Sequence, residues 1–375
     1  MRPYEGLLVV ALEQAVAAPL ASCHFAQGGA RVIKIERAEG DFARKYDGAV
    51  KGTASYFAWA NHGKESLCLD IKRSEDAALL DRLIAKADIF IQNLAPGATE
   101  RAGFGSDALR ARHPRLITCD ISGYGDSPAM ADMKAYDFLV QCESGLVAVN
   151  GAPGHPGRIG VSVCDIGAGM NAVIGLQKAL IARSITGQGS GVKLSLFDTA
   201  ADWMTVPLMH AVYGKGAPKP VGLHHPSIAP YGGFTTVDGA ILAISIQNER
   251  EWVNLCAGVL GQPDLARDPR FANAAARVRN RAETDAAVAA VFALHTRPEM
   301  EAKLRAASIA YGAVNSVEDF AAHPALRRVP VTLEDGQEAH LVAPPVCHSF
   351  EPDAPRLGRV PGVGEHSAAI RAEFA

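Results

Sequence analysis

Long apolar runs are missing from this sequence. No uncharged stretch reaches the roughly 18 residues that a membrane helix needs. The N-terminal run from Leu7 to Leu12 is closed by Glu13 and is too short for a secretory signal core. There is no Asn-x-Ser/Thr sequon. A strong charge of either sign is missing too. The 375 residues carry 37 Lys plus Arg against 40 Asp plus Glu, a formal charge of −3, so there is no broad basic field for coating nucleic acid. The seven cysteines, Cys23, Cys68, Cys119, Cys142, Cys164, Cys256 and Cys347, are odd in number and never spaced C-x-x-C, which argues against a zinc site or redox pair. Reduced, mostly buried thiols in a cytoplasmic protein are the expectation. Familiar catalytic signatures are also absent. No G-x-G-x-x-G follows the first strand, no phosphate loop G-x-x-x-x-G-K-[ST] occurs, and there is no H-E-x-x-H. Gly160-Val161-Ser162-Val163-Cys164 has Cys where a nucleophile elbow needs its second Gly. His224-His225 lies in a Pro-rich stretch without nearby carboxylates and is a poor metal candidate.

What is present is a chain that is 48% hydrophobic, enough to bury a large core. At about 150 residues per domain its length suggests two domains. The runs Leu7–Leu12 and Arg31–Glu36 flank a helical stretch, Pro19–Gln27, as a parallel strand-helix-strand unit would. A helix is expected over Ser74–Lys86, with Ser74 as its N-cap, then strands over 87–93 and 116–121. The stretch 165–185 reads as the longest helix, rich in Gly and Ala that permit close packing, followed by a strand over 192–197. Residues 1 to about 198 therefore read as a doubly wound, Rossmann-like α/β domain. The segment 206–231 holds five prolines and reads as an extended linker. Beyond it, a strand at 239–245 and helices at 249–260, 281–293 and 298–307 read as a smaller α+β domain. A hairpin is expected over 331–342 around Asp335-Gly336.

Two features invite a chemical reading. Asp165 stands where a strand-like run meets the long small-residue helix. It is either a plain N-cap, or a carboxylate beside glycines that admit a bulky substrate, able to attack a thioester as a covalent nucleophile. Lys34, Arg37, Lys72, Arg101 and Lys134 lie at or beyond the carboxyl ends of expected strands. Ligands bind at that edge of open α/β sheets, and cations there suit phosphate oxygens, although each residue is also ordinary surface charge.

In order and spacing, a set of segments resembles the class III CoA-transferases, whose relatives include formyl-CoA transferases, carnitine CoA-transferases and α-methylacyl-CoA racemases. The segments are Ala17-Ala18-Pro19, Val32 to Arg37 with Gly40-Asp41, Leu69 to Lys72, Asn93 to Gly97, Arg101-Ala102-Gly103, Ser122 to Gly125, Cys164 to Gly169, Gly187-Gln188-Gly189, Pro230-Tyr231 and Gly364 to Ser367. The resemblance covers nearly the whole chain. It implies that Asp165 is the nucleophile, passing through an aspartyl anhydride and an aspartyl-CoA thioester, without a metal. It implies coenzyme A, as acyl-CoA substrate, bound by Val16, Ala17, Arg37, Leu69, Asp70, Ile71, Lys72, Asn93, Leu94, Ala95, Arg101, Lys134, Ala135, Tyr136 and Asp137. It implies a large CoA-binding domain of residues 1–200 and 331–375, a linker at 201–231, a small domain at 232–310 and a return linker at 311–330. It further implies a homodimer of ring-shaped subunits that thread through each other.

Within that family the racemases use a His with an acidic partner to move the α-proton. Tyr136 stands at the racemase His position, and a phenol of ordinary pKa near 10 suits that role poorly. The transferase reading is favoured, with the racemase as its alternative. Gln14 and Val16 replace the His and Gln of formyl-CoA transferases, Tyr46 replaces a Trp, and their long glycine-rich loop has no counterpart. These departures argue against a formate/oxalate pair. The expected acceptor is a C4 or C5 dicarboxylate or hydroxy acid such as mesaconate, itaconate or citramalate, with succinyl-CoA as donor. Transfer within one molecule also fits.

Overall fold

Strand β1 (Leu8–Leu12) is apolar throughout because both faces of its sheet are covered. In the computed structural model, which describes residues 2–214, 216–349 and 357–375, Val9 and Ala11 join one core while Val10 and Leu12 join another. This is the two-residue period of a strand. The chain continues through α1 (Ala17–Gln27), β2 (Arg31–Glu36), α2 (Ser55–Asn61), β3 (Glu65–Cys68), α3 (Ser74–Lys86) and β4 (Ile89–Gln92). Then come α4 (Ala98–Arg101), α5 (Ser106–Arg112), β5 (Ile117–Ser122) and α6 (Asp137–Glu143). A one-turn helix, α7 (Leu146–Val149), and a two-residue hairpin, β6 (Gly151–Ala152) with β7 (His155–Pro156), precede the 24-residue helix α8 (Val163–Thr186). Gly187, in the left-handed conformation that suits glycine, ends α8 by returning its N–H to Arg183 O. Strand β8 (Gly191–Ser195) and helix α9 (Leu196–Trp203) follow.

The six strands form a parallel sheet of order β3-β2-β1-β4-β5-β8. Helices α1, α8 and α9 cover one face; α3, α5 and the C-terminal residues Ile370 and Phe374 cover the other. The parallel α/β sheet expected from the sequence is thus present. Ser74 is the first residue of α3 rather than its cap, a one-residue difference.

Contacts divide the chain into two units. One holds residues up to Leu146, Ile159–Val206 and those from Arg327 on; the other holds Val147–Arg158 and Pro207–Leu326. The segment expected to be an extended linker begins instead as a helix, α10 (Thr205–Tyr213). Pro207 is its third residue, where a missing N–H breaks no helical bond. None of its side chains is buried. In the second unit β9 (Tyr231–Thr235), β10 (Ile241–Ser245) and β11 (Ala310–Ala313) form an antiparallel sheet of order β11-β10-β9. Helices α11 (Glu249–Asn254), α12 (Ala274–Arg279), α13 (Arg281–Phe292), α14 (Arg297–Ala306) and α15 (Val317–Ala321) accompany it. Its core joins Phe234, Leu242, Ile244, Trp252, Phe292 and Met300.

In the first unit, β12 (Arg328–Thr332) and β13 (Glu338–Val342) make the expected hairpin. Its Val331, Leu333 and Ala339 pack on Ala43, Phe57 and Ala58. The C-terminal segment leading into α16 (Ser367–Glu373) closes the open edge at β3. Ser66 N–H donates to His366 Nδ1 (3.1 Å), Cys68 N–H to Ser367 Oγ (3.0 Å), and His366 N–H to Ser66 O (3.0 Å). An edge strand that would otherwise expose its backbone is paired this way. Met1, Lys215 of the expected linker, and residues 350–356 of the expected large domain lie outside the described residues.

Candidate active site

Strand order reverses between β1 and β4, so the loops leaving them part and open a crevice at the carboxyl edge of the sheet. The loop after β1 is held tightly there. Asn93, just beyond β4, accepts Gln14 N–H at 2.9 Å and donates from Nδ2 to Gln14 O at 2.8 Å. Asp41 Oδ1 accepts Ala15 N–H at 3.1 Å. Ala15 is left-handed, with φ of 65°. That conformation costs a non-glycine residue about 1–2 kcal/mol, and here the flanking hydrogen bonds hold it in place. Val16 and Ala17, which enter α1 from this loop, are buried. The side-chain amide of Gln14 makes no hydrogen bond among the described residues.

Beneath the loop lies a buried charge cluster. Lys34 Nζ is 2.8 Å from Asp41 Oδ2 and 3.5 Å from Glu13 Oε1, and Lys64 Nζ is 2.7 Å from Glu13 Oε1. Ser22 Oγ donates to Glu13 Oε2, and Lys64 also donates to Pro19 O and Asn61 Oδ1. Burial opposes the charge on Asp41. The Lys34 ammonium and the N–H groups of Ala43 and Ala15 nonetheless hold its carboxyl below the usual range. This corrects one sequence expectation. Lys34 is 0% exposed and spent on internal carboxylates, so it is no surface cation for a ligand.

The other expected positions fall along the same edge. Arg37 follows β2, Leu69 to Lys72 follow β3, Asn93 to Ala95 follow β4, Arg101 ends α4, and Lys134 to Asp137 lead into α6 beyond β5. Arg37, Lys72 and Lys134 are exposed, and none has an ion pair among the described residues. Arg101 is exposed and, among the described residues, its guanidinium hydrogen-bonds only Pro96 O, at 3.4 Å. Asp70, Lys72, Ala95 and Tyr136 are exposed; Ile71, Asn93, Leu94 and Ala135 are half-buried; Leu69 and Asp137 are buried.

Asp165 is the third residue of α8, and Ser162 is its N-cap. The capping bond comes from a distant part of the sequence. Asp137 Oδ1 accepts Cys164 N–H at 2.7 Å and Asp165 N–H at 3.4 Å, while Asp137 Oδ2 accepts from Gln141 Nε2 at 2.7 Å. Asp137 thus satisfies donors that a helix start leaves orphaned. The plain-cap reading of Asp165 is overturned, because its carboxylate makes no hydrogen bond among the described residues. Burial, with the Asp137 carboxylate adding to it, pushes the Asp165 pKa up to about 7. Ser162 Oγ pairs with Tyr56 OH at 2.9 Å, and the Tyr56 ring meets Tyr46 edge-on at 6.1 Å. The Tyr46 phenol is pushed up to about 12 by burial, with Asp41 and Asp165 adding to it, so it stays a neutral donor.

The glycines beside Asp165 serve packing rather than substrate approach. A Cβ on Gly169 would lie 2.8 Å from Ala17 O, and one on Gly167 would run into Trp203 and Thr199. These residues let α8 seat on α1 and α9. Asp165 lies one turn before Gly169 on the same helix face, which turns it toward the α1 end of the crevice. Sequence reasoning missed Asp41, Gln141 and Tyr56. Only the Gly40-Asp41 pair offered a local signal, because the other partners meet across large sequence separations.

A family model described as CoA-transferase family III matches residues 4–367. Among relatives, the succinate–glutarate CoA-transferase of Agrobacterium fabrum is 31% identical over 99% of this chain and 96% of its own. The acetyl-CoA:oxalate CoA-transferase of Acetobacter aceti is 32% identical over 100% of this chain and 96% of its own. The crystal structure of a CAIB/BAIF family protein from Brucella suis is 34% identical, with a TM-score of 0.85 over 100% of this chain and 99% of that one. Coverage of this extent, at this identity and with this fold, leads to one conclusion: the chain belongs to CoA-transferase family III.

Proposed function

We propose that this enzyme moves CoA from an acyl-CoA donor, succinyl-CoA, to a C4 or C5 dicarboxylate or hydroxy acid, with Asp165 as the covalent carrier. One observation carries the reading. The Asp165 carboxylate is half-buried at the crevice, has no hydrogen-bond partner of its own among the described residues, and is raised toward neutral pKa. A carboxylate without stabilising partners is a stronger nucleophile than a solvated one.

The chemistry balances without a proton or a metal. The Asp165 carboxylate attacks the thioester carbonyl, the C–S bond breaks, and a neutral mixed anhydride forms as CoA thiolate departs. The thiolate attacks the aspartyl carbonyl of that anhydride, releasing the donor acid as carboxylate and leaving an aspartyl-CoA thioester. The acceptor carboxylate attacks that thioester, and the freed thiolate then takes the acceptor acyl group, restoring Asp165. Each tetrahedral oxyanion needs donors. The unpartnered amide of Gln14 and the neutral phenol of Tyr46 are the side chains we assign to that role. Exposed Arg37, Lys72, Arg101 and Lys134 supply cations for the CoA phosphates. The names of the Agrobacterium and Acetobacter relatives, glutarate and oxalate, support a dicarboxylate acceptor.

The proposed assembly is a homodimer, interlocked as the family resemblance implies. Leu208, Met209, Val212 and Tyr213 on α10 are exposed apolar side chains that a second copy would cover. The proposed compartment is the cytoplasm, which keeps the free thiols reduced.

The test incubates the enzyme with succinyl-CoA and a panel of acids, including glutarate, oxalate, mesaconate, itaconate and citramalate, and identifies new CoA esters by mass spectrometry. A new dicarboxyl-CoA that is absent with Asp165→Ala supports the reading. A new ester that survives in the variant overturns Asp165 as carrier. No ester with any acid overturns the substrate class, and solvent deuterium at the acyl α-carbon would then mark the racemase reaction.

A further inference from the structure

Asp137 was expected among the CoA-binding positions, yet its carboxylate is turned into the protein. It is buried, and both its oxygens accept hydrogen bonds from within the first unit: Oδ1 from the amides of Cys164 and Asp165, Oδ2 from Gln141. Gln141 is itself fixed, accepting Ile159 N–H at 2.9 Å and donating to Ile159 O at 3.3 Å. The backbone leading into α8 is therefore gripped at two places ahead of the Asp165 side chain, at Ile159 and at the Cys164 and Asp165 amides.

We propose that Asp137 is a positioning residue for the reaction: it anchors the amide of the Asp165 carrier, and its negative charge beside that carboxylate keeps the carrier reactive. The inference rests on the reading of Asp165 as the covalent carrier. Its chemical logic is differential. Before attack, two carboxylates lie near each other in a partly desolvated site, with Asp137 Oδ1 3.4 Å from the Asp165 amide nitrogen. When the anhydride forms, the charge of Asp165 leaves on the CoA thiolate and the repulsion is relieved. An interaction that destabilises the free carboxylate more than the transition state lowers the barrier. Greater basicity also strengthens a carboxylate as nucleophile. Burial first, and this repulsion second, make the carrier harder to ionise, so the raised pKa of Asp165 accompanies the arrangement.

Among the described residues, three titratable groups interact with the Asp165 carboxylate. Asp137 approaches from the start of α6, Cys164 is its neighbour on α8, and Tyr46 comes from the segment after β2, with Tyr136 and Tyr56 around that phenol. Helices α1 and α9 meet this end of α8 with Ala17, Leu20, Thr199 and Trp203, none of which titrates. Lys34 and Lys64 are committed to Glu13 and Asp41. Among these groups Asp137 is the one whose charge acts on Asp165.

The experiment measures kcat and KM for succinyl-CoA from pH 5 to 9 in wild type, Asp137→Asn and Asp137→Ser. In parallel, hydroxylamine traps the acylated carrier as a hydroxamate that peptide mass spectrometry locates. The expected result is hydroxamate on Asp165 in wild type and an acid limb of kcat/KM near neutral pH. In both variants that limb moves down by about one pH unit or more. The plateau kcat falls on the order of tenfold, while KM for acyl-CoA stays within about twofold, since the side chain touches no ligand. A purely structural role would lower activity and Tm together and leave the limb in place. The use of two neutral variants guards against one that fails to fold. If wild type traps on Asp165 but neither variant moves the limb, this inference falls and the carrier assignment stands. If exchange proceeds in wild type with no hydroxamate on Asp165, the carrier assignment falls and this inference with it.

Discussion

Replacing Asp165 by Asn should make the protein more stable, and the gain should depend on pH. Burial and the Asp137 charge raise the Asp165 pKa from 3.8 to about 7. Between those values the folded protein holds a proton that the unfolded chain has released. Stability therefore falls as pH rises through that window and levels off above it. A shift of about 3 units, at about 1.36 kcal/mol each, sets a ceiling near 4 kcal/mol. The carboxylate is only half-buried, and solvent screening reduces that ceiling to about 1–3 kcal/mol. Asn keeps the shape and has no charge to desolvate. Asp165→Asn should thus exceed wild type by about 1–3 kcal/mol at pH 8, with Tm higher by a few degrees. The difference should narrow toward pH 5 and largely vanish once pH falls below the ordinary carboxylate range. Urea unfolding at intervals between pH 5 and 8 measures this directly, with the midpoint read at constant slope. Equal stability of the two proteins across the whole range would show that Asp165 titrates as an ordinary solvated carboxylate. The argument for a strained, reactive carrier would then fail. Loss of activity alongside a gain of stability is the usual relation at a functional site.

Three further outcomes follow from the packing. Lys34→Met strands Asp41 in a dry site, while Glu13 keeps Lys64, and should cost about 3–5 kcal/mol in chemical denaturation. The Asp41 carboxyl is held below its ordinary range, so its contribution is present above that range and is lost as pH falls through its folded value; the variant should lose the Asp41 part of the acid dependence. Gly169→Ala drives a Cβ against the Ala17 carbonyl, which cannot rotate away. It should cost about 1–3 kcal/mol and, by shifting the turn that carries Asp165, lower kcat on the order of tenfold. His366→Ala removes the acceptor for Ser66 N–H at the sheet edge; it should cost about 1–2 kcal/mol and speed amide exchange at Ser66 and Cys68.

Much of the first unit was legible because its elements are written locally. The β1 and β2 runs are apolar at positions that face both cores, and α3 carries Leu79, Leu80, Leu83 and Ile84 at helical spacing with acids in its first turn. Arg37, Lys72 and Lys134 could be placed beyond strand ends, the edge where ligands bind in such sheets, and they lie there. What stayed hidden depends on partners remote in sequence. Strand β3 is four residues long and half polar, and its edge is completed by His366 and Ser367. Lys34 sits in a strand pattern that gives no hint of Glu13 and Asp41 closing over it. The cap of α8 comes from Asp137, 28 residues before Asp165. Helix α10 was obscured by prolines that suggested an extended chain, although Pro207 falls in the first turn, where proline is tolerated.

The central claim is that acyl transfer passes through the Asp165 carboxylate, and oxygen labelling tests it most directly. The enzyme would be given succinyl-CoA and an acceptor acid whose carboxyl oxygens are both heavy oxygen, then digested after a few turnovers. Attack by the acceptor carboxylate on the aspartyl-CoA thioester places a heavy oxygen as the bridge of the anhydride. Cleavage by the thiolate on the acceptor side leaves that oxygen behind on the enzyme. The account predicts one heavy oxygen after the first turnover, rising toward two with further turnovers, in the peptide that contains Asp165, and none in the same peptide when the acceptor is unlabelled. Formation of the new acyl-CoA with no label in that peptide would contradict it.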